Sequence, residues 1–181
     1  ILDSENISGN FNDFGEYNIE MSFGNNIKLA EKISEYSDFE GIGAGFLTKS
    51  QKNLYGVNDR LDHGAAVPLY FINEEFKKHG KKFLVVCIST PFLSLHELFE
   101  FGKIIQRAVE FCEGRVVYVA SGDLSHRLSI LAPAGYSPEG SKYDKRIVDL
   151  IKTADYNSIL NTDRVSMEKA GECGTRSFAI R

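Results

Sequence analysis

The spacing of apolar and polar residues along the chain predicts strands and helices in alternation. Compact apolar runs at residues 83–89 and 115–120 are rich in β-branched residues, which is typical of buried strands. Apolar residues recur every three or four positions in residues 26–36 and 95–112, and this spacing predicts helices, with Ser94 placed to cap the second. Such alternation favours an α/β fold with a mostly parallel sheet covered by helices on both faces.

Weaker patterns complete the predicted order of elements. They are a strand at residues 18–23, an extended glycine-rich segment at 40–47, helices at 68–79, 142–153 and 162–170, a loop at 128–140 and a final strand at 177–180.

Length and composition indicate one globular domain that binds neither nucleic acid nor membrane. The 181 residues suffice for a core, and 43% hydrophobic with 25% charged residues is ordinary. A formal net charge of -4 and the lack of a lysine and arginine stripe argue against a nucleic-acid partner. No apolar run is long enough to predict a membrane span. Three poorly spaced cysteines favour a reducing compartment, so we expect a cytoplasmic protein.

The segment Ser121-Gly-Asp-Leu-Ser-His126 directly follows the predicted strand at residues 115–120. Ligands tend to bind at the carboxyl edge of an α/β sheet, where this segment would place its polar groups. Imidazole changes its charge in the neutral pH range, so His126 is a candidate general acid–base, with Asp123 to orient it. The alternative is a structural histidine at the end of a strand.

Two further polar segments stand at similar element boundaries. His63 follows Asp62 and precedes Gly64, so it is either a second acid–base group or a structural histidine. Glu172 lies in a turn bounded by glycines, where a carboxylate can approach a cation closely or simply close the turn. We therefore expect one site built from three distant parts of the chain.

Three ordered motifs resemble those of the class III (LigB-type) extradiol ring-cleavage dioxygenases. They are Ser121-Gly-Asp-Leu-Ser-His126, Leu61-Asp-His-Gly-Ala-Ala-Val-Pro-Leu69 and Ala170-Gly-Glu-Cys-Gly-Thr-Arg-Ser177. The most similar branch is the LigB-like domain of the AmmeMemoRadiSam system, whose relatives include the Memo proteins, and the loop Tyr136-Ser-Pro-Glu-Gly140 also resembles it.

The resemblance implies a three-layer α/β/α domain and an oxidoreductase that cleaves a catechol-type aromatic ring with O₂. It also implies a non-haem Fe(II) held by two histidines and one glutamate, with Glu172 as the carboxylate ligand. His126 would transfer protons to and from the substrate, and Asp123 would orient it. His63 would contact the substrate or the bound oxygen rather than the metal.

The chain departs from the family pattern at its start, because the family's two ligand histidines lie near the N-terminus of the domain. Here no histidine precedes His63, and residue 1 is Ile rather than Met. We therefore expect residues 1–181 to be a single LigB-like domain truncated at its N-terminus and unable to hold iron well. A sheet edge left unpaired in this way would favour a homo-oligomer.

Two alternatives remain at this stage. A Memo-like relative would be a non-catalytic binding or scaffold domain on the same fold, because a fold does not fix a function. Alternatively, His63, His126 and Glu172 would themselves form a two-histidine, one-carboxylate metal set. The substrate's identity and the roles of Cys173 and Arg176 are left open by the sequence.

Overall fold

The computed structural model describes residues 1, 5–47, 54, 60–89, 93–132 and 134–180. The chain divides into two compact units. The first unit comprises Ile1–Ser89 and Arg107–Gly114, and the second unit comprises Thr90–Gln106 and Arg115–Arg181. Strands and helices are both present, so the chain has an α/β structure, and the three-layer arrangement stays a prediction.

The elements follow one another along the chain as β1 (Asn6–Phe11), a 3₁₀ turn (Asn12–Phe14), β2 (Glu16–Asn25), α1 (Ile27–Phe39), α2 (His63–Lys78), β3 (Leu84–Val85), α3 (Leu95–Glu110), α4 (Pro138–Lys152), α5 (Tyr156–Leu160), α6 (Arg164–Ala170) and α7 (Thr175–Ala179).

A three-stranded sheet forms the centre of the first unit. Strand β2 lies in the middle, pairs antiparallel with β1, and pairs parallel with β3 through Leu84 and Val85. Ile7 and Phe23 alternate with exposed residues along their strands, as the two-residue period of a strand requires, and they pack with Ala66 of α2 in a buried cluster. The predicted strand at 18–23 is confirmed, but the described sheet is mixed rather than mostly parallel.

The two strongest helical patterns are confirmed by α1 and α3. The side chain of Asn26 caps α1 by accepting a hydrogen bond from the Leu29 N–H at 3.2 Å. Ser94 caps α3 as predicted, because its Oγ accepts from the Glu97 N–H at 3.2 Å. The Glu97 carboxylate accepts in return from the Ser94 N–H at 2.8 Å, which completes a capping box.

Other helices begin where a side chain caps them. Helix α2 starts five residues before the predicted 68, because Asp62 accepts from the Ala65 N–H at 2.9 Å, and Pro68 lies inside the helix. Ser137 similarly starts α4 at Pro138 rather than at 142, and Asp163 starts α6. The short helix α5 lies between α4 and α6, where the sequence predicted no element.

Three strand predictions differ from the structure. Residues 115–120 form no strand with any other described residue, and Val117 is 81% exposed instead of buried. Only Leu84 and Val85 of residues 83–89 pair with β2. Residues 177–180 were predicted as a strand, but Thr175–Ala179 is a helix.

No helix among the described residues combines the length and the apolar character needed to cross a membrane.

Candidate functional site

Two of the sequence motifs lie against each other in the second unit. We call residues 121–126 the Ser121 loop and residues 171–174 the Glu172 turn. The N–H groups of Cys173 and Gly174 both donate to the carbonyl oxygen of Asp123, at 3.1 and 2.9 Å. The N–H of His126 donates to the carbonyl oxygen of Gly171 at 3.3 Å. Because backbone hydrogen bonds join the loop and the turn, the Cα atoms that carry the neighbouring side chains are fixed relative to one another.

Glycines allow this close approach. A Cβ atom on Gly122 would overlap the Cα of Gly174 and lie 3.0 Å from the carbonyl oxygen of Cys173. A Cβ atom on Gly174 would lie 3.0 Å from the carbonyl oxygen of Asp123. The neighbours of Gly122 are backbone atoms that cannot rotate away, so the contact between loop and turn requires glycine at position 122, and at position 174 it leaves little room for a side chain.

Three side chains converge where the loop meets the turn. The Nε2 atom of His126 lies 3.3 Å from Oδ2 of Asp123 and 3.9 Å from Sγ of Cys173. The backbone N–H of Asp123 donates to the same Sγ at 3.2 Å. His126 is 44% exposed and Asp123 is 79% exposed, so a small molecule can reach both. The predicted pairing of Asp123 with His126 is thus present in the structure, whereas the convergence of Cys173 was not predicted.

Glu172 faces a different set of partners. Its Oε2 accepts from the Thr175 N–H at 2.7 Å and so begins α7. The Thr175 hydroxyl in turn forms a short hydrogen bond with the hydroxyl of Tyr143, and both of these residues are buried. Burial raises the pKa of Tyr143 to about 12, and the nearby Glu172 carboxylate adds to the rise. The Glu172 carboxylate is therefore held in a defined orientation by the first turn of α7.

Side chains of the surrounding elements hold the Ser121 loop in place. The Ser125 N–H donates to Oδ1 of Asp144 on α4 at 2.8 Å, and its hydroxyl donates to the Ala170 carbonyl at 2.7 Å. The Ser177 hydroxyl on α7 donates to the Ser121 carbonyl at 2.7 Å. Sequence reasoning missed these supports, because hydroxyl-to-carbonyl contacts between distant segments leave no local pattern.

His63 belongs to the first unit. It is the first residue of α2, it is exposed, and its ring meets the ring of Phe14 edge-on with the centroids 6.1 Å apart. The carboxylate of Asp62, the residue before His63, caps α2 by accepting from the Ala65 N–H. The role of His63 at a shared site stays a prediction.

The donor atoms of the second unit fit an Fe(II) facial triad only in part. Glu172 supplies one carboxylate, in the oriented position described above. The two histidines of this unit are His126, which contacts Asp123 and Cys173, and His96, which lies exposed in the first turn of α3. Among the described residues of the second unit, the metal-capable side chains that cluster are Asp123, His126 and Cys173, and Glu172 is outside that cluster.

Known proteins resemble this chain along most of its length. A family model described as the catalytic LigB subunit of aromatic ring-opening dioxygenase matches residues 1–180. Protein CA_C1420 of Clostridium acetobutylicum is 39% identical over 176 residues, which cover 97% of this chain and 37% of that protein. The 3,4-dihydroxyphenylacetate 2,3-dioxygenase of Escherichia coli is 31% identical over 111 residues, covering 56% of this chain and 38% of that protein. The alignments thus span less than two fifths of the length of either relative.

Proposed function

Because this chain belongs to the LigB family of aromatic ring-opening dioxygenases, we propose that its second unit carries the proton-transfer groups of a class III extradiol dioxygenase site. The substrate is a catechol-type aromatic compound, and O₂ is the second substrate. The E. coli relative, whose name describes a dioxygenase of 3,4-dihydroxyphenylacetate, supports this substrate class. The family's three-layer α/β/α arrangement is part of the same proposal.

The observation that carries the proposal is the fixed Asp123–His126 pair. The carboxylate of Asp123 lies 3.3 Å from Nε2 of His126, and the loop that carries both is bonded through its backbone to the Glu172 turn. A neighbouring carboxylate that contacts one ring nitrogen fixes the orientation of an imidazole. His126 is exposed, so it can accept the proton of a catechol hydroxyl and later return it to the departing oxygen.

Glu172 is the residue that would hold the iron. Its carboxylate already has one oxygen engaged by the Thr175 N–H, which orients the side chain, and carboxylates are common ligands of non-haem Fe(II). When bound, Fe(II) would supply open positions for the deprotonated catechol and for O₂. In this proposal His63 would contact the substrate or the bound oxygen rather than serve as a ligand.

The 181-residue chain by itself is expected to bind Fe(II) poorly, because the second unit offers Glu172 without two free imidazoles beside it. An anaerobic Fe(II) titration of the chain, alongside its Glu172→Gln variant, tests this. Glutamine keeps an oxygen for the Thr175 N–H, so the variant should retain α7. Tight binding that Glu172→Gln abolishes would show instead that the described residues complete a site.

Oxygen uptake in the natural gene product that contains these residues tests the activity. With Fe(II) and a panel of substituted catechols, we expect His126→Ala to lower turnover by roughly 10²–10⁴-fold, the usual contribution of a general acid–base, with its iron content unchanged. His79→Ala is the matched control, because the His79 side chain is exposed and its Nε2 lies 3.4 Å from the surface carboxylate of Glu75.

Two results would contradict parts of the proposal. Loss of iron in His126→Ala would make His126 a ligand rather than a proton-transfer group. An iron-loaded protein that consumes no O₂ with any catechol would refute the dioxygenase function and favour a non-catalytic, Memo-like binding domain. Placement beside the AmmeMemoRadiSam branch, a cytoplasmic location and self-association stay predictions.

A further inference from the structure

We propose that Arg127 binds a carboxylate group on the aromatic substrate, so that the protein prefers acidic catechols to neutral ones. Arg127 directly follows His126 in the second unit, and the residue is partly buried. Its Nε atom is buried and has no hydrogen-bond partner among the described residues. The inference rests on the proposed function in taking the substrate ring to be a catechol, whereas binding of a carboxylate to Arg127 needs no catalysis.

A glycine makes room for the Arg127 side chain. Gly171, the first residue of the Glu172 turn, ends α6 in the left-handed conformation, with φ of 62°. A Cβ atom at this position would lie 2.9 Å from Nε of Arg127 and 3.3 Å from its Cγ and Cδ atoms. The carbonyl oxygen of the same glycine accepts from the His126 N–H at 3.3 Å. The Arg127 side chain therefore runs across the turn beside the backbone that positions His126.

The backbone of Arg127 is held at both of its polar groups. Its N–H donates to Oγ of Ser125 at 3.0 Å, and its carbonyl oxygen accepts from the Ser137 N–H at 2.9 Å. These bonds tie the residue to the Ser121 loop on one side and to the start of α4 on the other. The positive charge is thus carried by a residue whose main chain is fixed.

Nearby carboxylates do not neutralise this charge. A buried N–H of a charged group is costly without a partner, and native proteins usually supply one from the protein, from water or from a ligand. The carboxylates on the segments around Arg127 are bonded to other groups. These are Asp123 with His126, Glu139 with Lys142, Asp144 with the Ser125 N–H, and Glu172 with the Thr175 N–H. An anion from outside the chain would therefore complete the site.

A purely structural role at the end of α6 is the alternative. Arginine side chains near a helix C-terminus can donate to its last carbonyl oxygens and interact with the helix dipole. Here the Ala170 carbonyl accepts from the Ser125 hydroxyl at 2.7 Å, and the Gly171 carbonyl accepts from the His126 N–H. Since Nε of Arg127 donates to neither, a helix-capping role does not explain why this N–H is buried.

The charges of the loop and the turn decide which anion fits. Asp123 and Glu172 repel any anion that approaches, so an anionic substrate needs a cation to offset them, and Arg127 supplies it. The planar guanidinium matches the geometry of a carboxylate, with which it can form two parallel hydrogen bonds. A carboxylate carries one negative charge and meets less of this repulsion than a doubly charged phosphate. Arg127 is therefore a specificity-determining residue for a carboxylate on the ring.

A titration of the 181-residue chain with sodium benzoate tests the carboxylate site directly. The ¹⁵N NMR signal of the Arg127 Nε–H, assigned by its loss in Arg127→Lys, reports the unpaired group itself. We expect benzoate to shift this signal in a saturable way, whereas neutral benzyl alcohol and sodium chloride at equal concentrations should not. A signal that benzoate leaves in place, or that benzyl alcohol or chloride moves equally, overturns the proposal without any variant having to fold.

Variants then measure how much of the preference Arg127 carries. Arg127→Gln should weaken benzoate binding about tenfold or more, followed at the His126 backbone amide, because a hydrogen bond to a charged group is lost. Arg164→Gln is the matched control, since Arg164 lies on α6 in the same unit with its side chain 80% exposed and paired with Glu168 at 2.6 Å. Equal benzoate affinity in the two variants would refute the assignment.

Oxygen uptake by the natural gene product that contains these residues tests the substrate preference. The ratio of kcat/KM for 3,4-dihydroxybenzoate to kcat/KM for catechol should fall about tenfold or more in Arg127→Gln and should be unchanged in Arg164→Gln. An unchanged ratio in Arg127→Gln would refute the role of Arg127 in specificity. If the unaltered protein consumes O₂ with neither compound, the proposed function fails, and the benzoate titration still decides whether Arg127 binds a carboxylate.

Discussion

Replacement of Gly122 by alanine should separate the Ser121 loop from the Glu172 turn. The added methyl group would overlap the Cα of Gly174 and would lie 3.0 Å from both the Gly174 nitrogen and the Cys173 carbonyl oxygen. All of these are backbone atoms, so the chain itself must move to make room. The movement would stretch the two hydrogen bonds that Cys173 and Gly174 donate to the Asp123 carbonyl.

The expected cost follows from these contacts. Overpacking of a methyl group against fixed atoms costs about 1–3 kcal/mol. Each backbone hydrogen bond that is lost costs about 0.5–1.5 kcal/mol net, at the lower end here because the Ser121 loop is largely exposed and water can replace the partner. Both costs arise from the same backbone displacement, so they should not be added. We expect the free energy of unfolding to decrease by about 1–3 kcal/mol in total.

Urea unfolding followed by circular dichroism measures this free energy, and amide hydrogen exchange at Cys173 and Gly174 reports the local bonds. Gly43→Ala is the matched control, because a Cβ atom at Gly43 meets nothing within 4 Å. Comparison with this control also subtracts the effect that any Gly→Ala change has on the entropy of the unfolded chain, about 0.4–1 kcal/mol. If Gly122→Ala unfolds within about 0.5 kcal/mol of the control, with unchanged exchange at both amides, the steric reasoning is refuted.

Three further predictions concern the hydroxyls of tyrosines and the thiols of cysteines. Tyr143→Phe leaves the buried Thr175 hydroxyl without its partner and should cost about 1–3 kcal/mol by urea unfolding, whereas combining it with Thr175→Val should cost less than the sum of the two single changes. Burial raises the pKa of Tyr118 and of Tyr143 to about 12. The pKa of an unfolded tyrosine is near 10, so between about pH 10 and 12 the folded chain binds more protons than the unfolded chain, and its stability should fall as pH rises. Tyrosinate absorbance should show that both residues ionise above about pH 10. A titration that is complete by about pH 10 would contradict this prediction. With iodoacetamide the exposed Cys173 should react first and Cys87 last, because burial raises the pKa of Cys87 to about 11; peptide mapping gives the order, and early labelling of Cys87 would refute it.

Local sequence patterns predicted the elements that local interactions determine. Helices α1 and α3 follow from an apolar repeat of three to four residues together with a capping side chain, and both signals lie within the helix and its cap. The pairing of Asp123 with His126 was also predictable, because the two residues are three positions apart. The predicted start of α2 was wrong because it was placed at Pro68, a residue common in the first turn of a helix, whereas Asp62 caps the helix five residues earlier.

Contacts across long stretches of sequence could not be predicted in this way. Residues 115–120 have the composition of a buried strand, yet a strand needs a partner, and composition does not supply one. The final segment was predicted as a strand because nothing in its own sequence reveals that the Glu172 carboxylate accepts from Thr175 and starts a helix. Cys173 contacts His126 across 47 positions of sequence, so this contact became visible only in three dimensions.

The long reach of these contacts sets the order in which the chain can become structured during synthesis. The hydroxyl of Ser177 that holds the Ser121 carbonyl lies 56 positions later, and the Tyr118 hydroxyl bonds the Ser177 carbonyl across 59 positions. A ribosome adds about 5–20 residues per second, so the Ser121 loop waits several seconds for its partners. Closing a loop of this length costs entropy before any contact repays it. The first unit's β1–β2 hairpin, whose partners are adjacent in sequence, can therefore form well before the Asp123–His126 pair is held in place.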